Sequence, residues 1–278
     1  MCRLFSRFSL TPQGIEDPLK EGKFSLLHLS TNDPKRRQSD GWGVGWIAQG
    51  MPRVMKSAGA IYRERSRVRR MAQMIFSPTL VGHIRRASNP LGLPKKALIG
   101  LPKCQPFTHG PWLFCHNGTL SIPLEVKAEL GAWKKFVKSN NDSEVLFYWL
   151  LKTFVHSQAG TPAARLRQSM KRLDQLWRRR RAAHPNLKFP MHGLNWVLTN
   201  GKECYAFCYV NPQGFRQGGA LGHKKQPYFA LQWRATSDCI DIASEAWDSD
   251  ARWTSLGHST LLVAVRHKKV LRFKKYRI

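Results

Sequence analysis

The apolar residues of this chain come in short runs broken by turn formers, a spacing that favours a sheet-rich fold over a helical bundle. "CRLFSRFS" opens as a strand, and "GWGVGWIA" and "PRVMKSA" read as a hairpin joined by Gln49, Gly50 and Met51. "TLVGHIRRA" is a buried strand running into polar residues. "PWLFCHNGTLSI" has two apolar arms around Asn117-Gly118, the strongest short hairpin signal. "LNWVLTNG", "ECYAFCYV", "YFALQWR", "CIDIASEAW" and "TLLVAVRHKKVLRF" add further strands. Two segments break the pattern. "DSEVLFYWLLKTFVH" is too long and continuously apolar for a strand and suits a helix packed on a sheet. "PAARLRQSMKRLDQLWRRRRAAH" predicts a basic helical segment over about 162–185, with Leu166, Met170, Leu173 and Leu176 on one stripe. With no repeat, low-complexity linker or clear boundary, one α+β domain over 1–278 is expected.

Composition bounds the function. The chain has 278 residues, 42% of them hydrophobic, which fits a globular protein. No apolar run approaches the ~20 residues of a membrane span, and no secretory leader is visible. Six cysteines form no regular framework, so a reducing cytoplasm is the expected setting. Lys and Arg number 46 against 17 Asp and Glu, a net charge of +29. The excess lies in "YRERSRVRRM", "RLRQSMKRLDQLWRRRRAAH" and "RHKKVLRFKKYRI". Such surfaces attract nucleic acid, acidic lipids or acidic proteins without base-level specificity. A solvated basic face is the simpler reading, because zinc-finger spacing, RNP aromatics and a basic zipper are all missing.

"GWGVG" leads into another strand and lacks the strand–loop–helix context of a phosphate loop. Gly41, Gly43 and Gly45 are expected where backbones approach closely, with Asp40 as a turn former. Cys204 and Cys208 share a strand face without a second ligand pair, so no metal and no cofactor is expected. Trp196, Trp233, Trp247 and Trp253 read as core and pocket walls. His109 is compatible with a loop or with a pocket.

Cys2 is the residue with the most chemistry to offer. Aminopeptidases remove Met1 when a small residue follows, which would leave a thiol and a free α-amine on one residue. An α-amine of pKa roughly 7.7–8.0 accepts protons near neutrality. It would assist a thiol of pKa ~8.5 that is otherwise weakly ionised.

"MCRLF", "DGWGVGW", "GHIRRAS", "PFTH", "HNGTL" and "NDSE", in this order, resemble the class II glutamine amidotransferases. The similarity is strongest to stand-alone members acting in glutathione breakdown or ergothioneine synthesis. It continues through "LNWVLTNGKECYAFCYV" and through "IASEAWD", which is similar to the family's "ASEP" segment. The resemblance implies an N-terminal-nucleophile fold, a four-layer αββα sandwich of two antiparallel sheets. It also implies amide hydrolysis of glutamine or a γ-glutamyl compound through a γ-glutamyl thioester.

Carried onto this chain, the resemblance makes Cys2 the nucleophile. It makes the Asn117 side chain and the Gly118 backbone N–H the oxyanion donors, one such donor being worth ~3–4 kcal/mol. Arg85 would take the substrate α-carboxylate, a bidentate task suited to guanidinium. Asp142 would take the α-ammonium, with Ser143 and Glu144 as weaker neighbours. Asn141 and Glu144 also make a passable capping box. Arg86 reads as surface or fold support. His83 reads as a structural, hydrogen-bonded histidine, since the α-amine already fills the base role.

The chain departs from the family pattern in two places. Gln105 stands before "PF" where relatives carry histidine, and "EAWD" replaces "EP". No stretch is left for a synthetase, so a free-standing amidase is preferred over a glutaminase subunit feeding ammonia to a partner. A non-catalytic basic binding protein is the competing class. A homo-oligomer is compatible with everything above.

Overall fold

The computed structural model describes residues 2–158, 160–210 and 230–278. Seven strands form one antiparallel sheet in the order β11-β9-β10-β1-β4-β2-β3. They span Arg3–Gly14 (β1), Trp42–Ala48 (β2), Met51–Ser57 (β3), Phe76–Ile84 (β4), Gln232–Ala235 (β9), Cys239–Ala243 (β10) and Thr254–Ser255 (β11). Six strands form the second, in the order β13-β12-β8-β7-β6-β5. These are Phe107–His109 (β5), Trp112–Leu120 (β6), Met191–Thr199 (β7), Glu203–Cys208 (β8), Thr260–His267 (β12) and Val270–Arg277 (β13). The helices are Leu26–Leu29 (α1), Arg65–Met74 (α2), Lys95–Leu98 (α3), Pro123–Ala128 (α4), Asp142–Leu150 (α5) and Pro162–Arg180 (α6).

The strand period of two explains the layering. On β1, Leu4 and Phe8 face the second sheet and meet Leu113, Cys115, Val197 and Ala206. Phe5, on the other face, packs with Val68 and Met71 of α2 and Leu26 of α1. The outer face of the second sheet is covered by α4, α5 and α6, where Phe114, Phe147, Leu166 and Trp196 share one cluster. Helix, sheet, sheet and helix therefore stack in four layers.

Local sequence accounts for most boundaries. Thr161 caps α6 by accepting the Ala164 N–H, and Pro162 occupies the first turn, where its missing N–H costs nothing. Leu166, Leu173 and Leu176 are buried and Met170 is partly so, while a short tighter turn over Arg181–Ala183 ends the basic segment. All nine residues of α5 are buried, and a wider turn over Leu151–Val155 continues it. The β2–β3 turn is tighter than expected, because Met51 already pairs with Ala48 and only Gln49 and Gly50 connect the strands. Gly43 sits where β2 nearly touches the loop before β5. A Cβ there would fall 2.3 Å from the Gln105 carbonyl oxygen. Of "YFALQWR", Tyr228 and Phe229 lie outside the described residues, as does Met1. Among the described residues, no helix is long and apolar enough to cross a membrane.

Candidate active site

The register of β1 on β4 pairs Arg3 with Ile84 and Leu4 with His83, which brings Cys2 level with Arg85 at one end of the first sheet. Cys2 is half-buried, and its thiol donates to the Arg86 carbonyl at 3.4 Å. Its own carbonyl accepts from Arg3 Nη1 at 3.0 Å. Arg3 is in turn fixed by a buried ion pair with Glu245, 2.6 Å from Nε to Oε1. The glutamate of "IASEAWD" thus anchors the residue beside Cys2. A buried pair of this kind leaves little freedom, because removing either partner strands the other charge.

Asn117 and Gly118 belong to the second sheet, and here the hairpin expectation fails. Both lie inside the continuous strand β6, paired with Asn195 and Leu194 of β7. A tight primed turn needs positive φ at both central residues, and neither has it. Gly118 is required by crowding instead: a Cβ would sit 2.1 Å from the Gly193 carbonyl oxygen. The ladder slips between Gly118 and Leu120, and the Leu120 N–H donates to Asp142 Oδ2 at 2.8 Å.

Ser244 joins the two sheets. Its hydroxyl accepts the Leu4 N–H at 3.0 Å and the Asn117 side-chain amide at 3.3 Å, while its own N–H donates to the Leu4 carbonyl at 2.9 Å. Among the described residues the buried Oδ1 atom of Asn117 has no hydrogen-bond partner. The amide expected to act as oxyanion donor is therefore tied, through one hydroxyl, to the strand that carries Cys2.

Arg85 is buried, and its Nη1 donates to the Leu98 carbonyl at 2.8 Å and the Asp40 carbonyl at 3.3 Å. Asp142 opens α5, also buried, with Ser88 Oγ 3.5 Å from Oδ1. Burial pushes its carboxyl up to about 6, against the pull of the Leu120 N–H and the Arg85 charge. Among the described residues neither group has an ion-pair partner; their hydrogen bonds go to carbonyls, an amide and a hydroxyl, and the two lie close enough for the Arg85 charge to act on Asp142.

The neighbours of Asp142 serve the fold. Asn141 caps α5 by accepting the Ser143 N–H at 2.8 Å. Glu144 does not close the expected capping box. It takes the Lys138 and Ser139 N–H groups, while the Asn141 N–H goes to the Ser139 hydroxyl.

A family model described as "Glutamine amidotransferases class-II" matches residues 21–275. The chain belongs to this family. The match covers most of the chain but begins after Cys2. The γ-glutamyl-hercynylcysteine sulfoxide hydrolase of Mycobacterium tuberculosis strain CDC 1551 / Oshkosh is 30% identical over 99 residues, which are 34% of this chain and 40% of that protein. The same-named protein of strain H37Rv is 29% identical over 99 residues. Among solved structures, a glutamine aminotransferase class-II domain protein from Silicibacter pomeroyi superposes with a TM-score of 0.63 at 18% identity, covering 100% of both chains. Glutamine phosphoribosylpyrophosphate amidotransferase of B. subtilis, complexed with ADP and GMP, gives 0.60 at 15% identity over 99% of this chain and 49% of that one. The αββα sandwich is the N-terminal-nucleophile fold of these amidotransferases.

Two buried histidines flank the site strands. His116 Nε2 lies 3.2 Å from the Gly193 carbonyl and must carry the proton, so Nδ1 accepts from the Ser143 hydroxyl at 2.9 Å. Burial pushes it down to about 4. His83 was expected to be hydrogen-bonded; among the described residues neither ring nitrogen has a well-formed hydrogen bond, and the His116 backbone is the group that acts on it as a weak partner. Burial first, then the Arg85 charge, pushes it to about 3. Both rings are neutral near pH 7. Gln105, the departure from the family pattern, accepts the His116 N–H at 2.6 Å and donates to its carbonyl at 3.1 Å. It clamps β6 one residue before Asn117.

Burial, not a catalytic environment, governs four of the remaining thiols. Burial raises Cys104 and Cys115, and pushes Cys204 to about 12 and Cys208 to about 11. Cys204 and Cys208 fill the core between the sheets. His109 packs among Trp133, Phe136 and Tyr148. Arg3, Ser244, Glu245 and Gln105 escaped the sequence reading as site residues. Their only signal was adjacency to recognised motifs.

Proposed function

We propose that this amidotransferase hydrolyses a γ-glutamyl amide, with Cys2 as nucleophile once Met1 is removed. The α-amine of Cys2 takes the thiol proton, and the sulfur attacks the γ-carbonyl. Asn117 Nδ2 and the Gly118 N–H receive the developing oxyanion. The C–N bond then breaks, the amine leaves with the proton, and water releases glutamate from the thioester. Arg85 and Asp142 grip the α-carboxylate and α-ammonium; together they select an amino-acid head that neither would read alone.

The observation that carries this reading is the Ser244 bridge, which ties the Asn117 amide to the strand of Cys2 while Cys2 stands level with Arg85. The family match and the γ-glutamyl hydrolases among its relatives support the reaction class. The test is labelling by a glutamine-analogue diazoketone. One equivalent should attach at Cys2 with loss of glutamate release, and Cys2→Ala should take no label and show no activity. Full activity in Cys2→Ala, or in protein whose terminus keeps Met1, sinks the proposal.

A further inference from the structure

Arg86, whose carbonyl receives the Cys2 thiol, also lines an open cleft of about 410 Å³. Asp40 and Leu98, whose carbonyls hold the Arg85 guanidinium, form another part of its wall. Cys2 and Arg85 are outside its lining, but the cleft shares wall residues with the hydrogen-bond partners of both. Its charge is one-sided: Lys35, Arg37 and Lys95 line it together with Arg86. Among the described residues none of these four enters an ion pair. Asp40 is the only acid in the lining, and its carboxylate is already engaged by the Ala87 N–H at 2.8 Å and the Ser39 hydroxyl at 2.9 Å.

We propose that this cleft receives the departing amine and that the amine carries an anionic group, a carboxylate, sulfonate or phosphate. The inference rests on the amidase reading above and names its substrate class. Both charges of a γ-glutamyl head are answered by Arg85 and Asp142, so the four cations have no role in holding it. Ammonia from glutamine is small and carries no negative charge to draw toward them. Cations of one sign around a concave surface focus potential and gather anions. In the cleavage step the Sγ–C bond forms and the C–N bond breaks. The nitrogen takes the proton held by the α-amine, and the freed amine keeps its anionic substituent in the cleft.

Glutamate release measures every substrate by the same product. We expect kcat/KM for γ-glutamylglycine and γ-glutamyltaurine to exceed that for the neutral γ-glutamylethylamide by about tenfold or more at low salt, narrowing at high salt as exposed cations are screened. Lys95→Glu should lower the acidic-to-neutral ratio by about fivefold or more, and Lys95→Ala by less. Equal kcat/KM on acidic and neutral amides, unmoved by salt, overturns the leaving-group assignment while leaving the amidase reading intact. The salt titration of the unaltered enzyme decides this even if Lys95→Glu folds poorly. Absence of glutamate release from all three, with Cys2 unlabelled, overturns both readings.

Discussion

Two arginine-bearing regions of this molecule show what a large net charge hides. At the Cys2 end, Arg85 is 5% exposed, and among the described residues only carbonyl oxygens accept from it. On α6, Arg178 and Arg179 stand in solvent beside Asp174 and Glu129, with side chains 78% and 64% exposed. The exposed arginines have carboxylates at hand yet gain little, since solvent and salt screen them. The buried arginine lacks a carboxylate of its own, and a carboxylate-bearing ligand would supply one. In a chain of +29, then, count and density of charge say little about function. Burial without a counter-ion says much more.

That contrast can be broken at several points. The largest effect belongs to the Cys2 end, where Asn117→Ala should lower kcat about 10²–10³-fold with little change in KM. Arg85→Ala should instead act mainly on KM, because the proposed contact with the α-carboxylate would be made in the ground state. Steady-state kinetics of the two variants decide it, and equal, negligible effects would count against the hole and the clamp alike. Next in size is the pH dependence. The Asp142 carboxyl, pushed up to about 6 by burial, is protonated below that value and then cannot hold an ammonium. The acid limb of kcat/KM, already set by the α-amine, should therefore steepen by a further tenfold per pH unit below about 6, and Asp142→Asn should lower activity and remove that added slope. The smallest effect lies on the exposed face. Arg178→Ala with Arg179→Ala should change stability by no more than about 1 kcal/mol and leave kcat/KM unchanged. Thermal melting and kinetics of the double variant would expose a hidden role for that face.

Much of the architecture was legible before any coordinates. Short apolar runs located most strands of both sheets but not the short β5 and β11, and the apolar block from Asp142 located α5. The candidate site was legible as a set of residues, through motifs in order, but not as an arrangement. Asn117-Gly118 misled, since the dipeptide that favours a turn equally suits a strand whose neighbour comes too close for a side chain. His83 was legible only as a face position, because alternation does not say how well a neighbour such as the His116 backbone can meet its ring. Nothing local marks Gln105 as a clamp on β6 or Ser244 as a bridge between sheets.

By itself the order of residues determined the layered class, the helical pieces and the inventory of chemistry: one terminal-region thiol, an arginine, an aspartate and an amide donor. Tertiary structure alone decided that β1 pairs with β4 in the register that levels Cys2 with Arg85, and that a serine 242 positions after Cys2 ties that strand to Asn117. Side-chain patterns act over a few residues, whereas register and burial arise only when distant strands compete for the same hydrogen bonds and the same dry space.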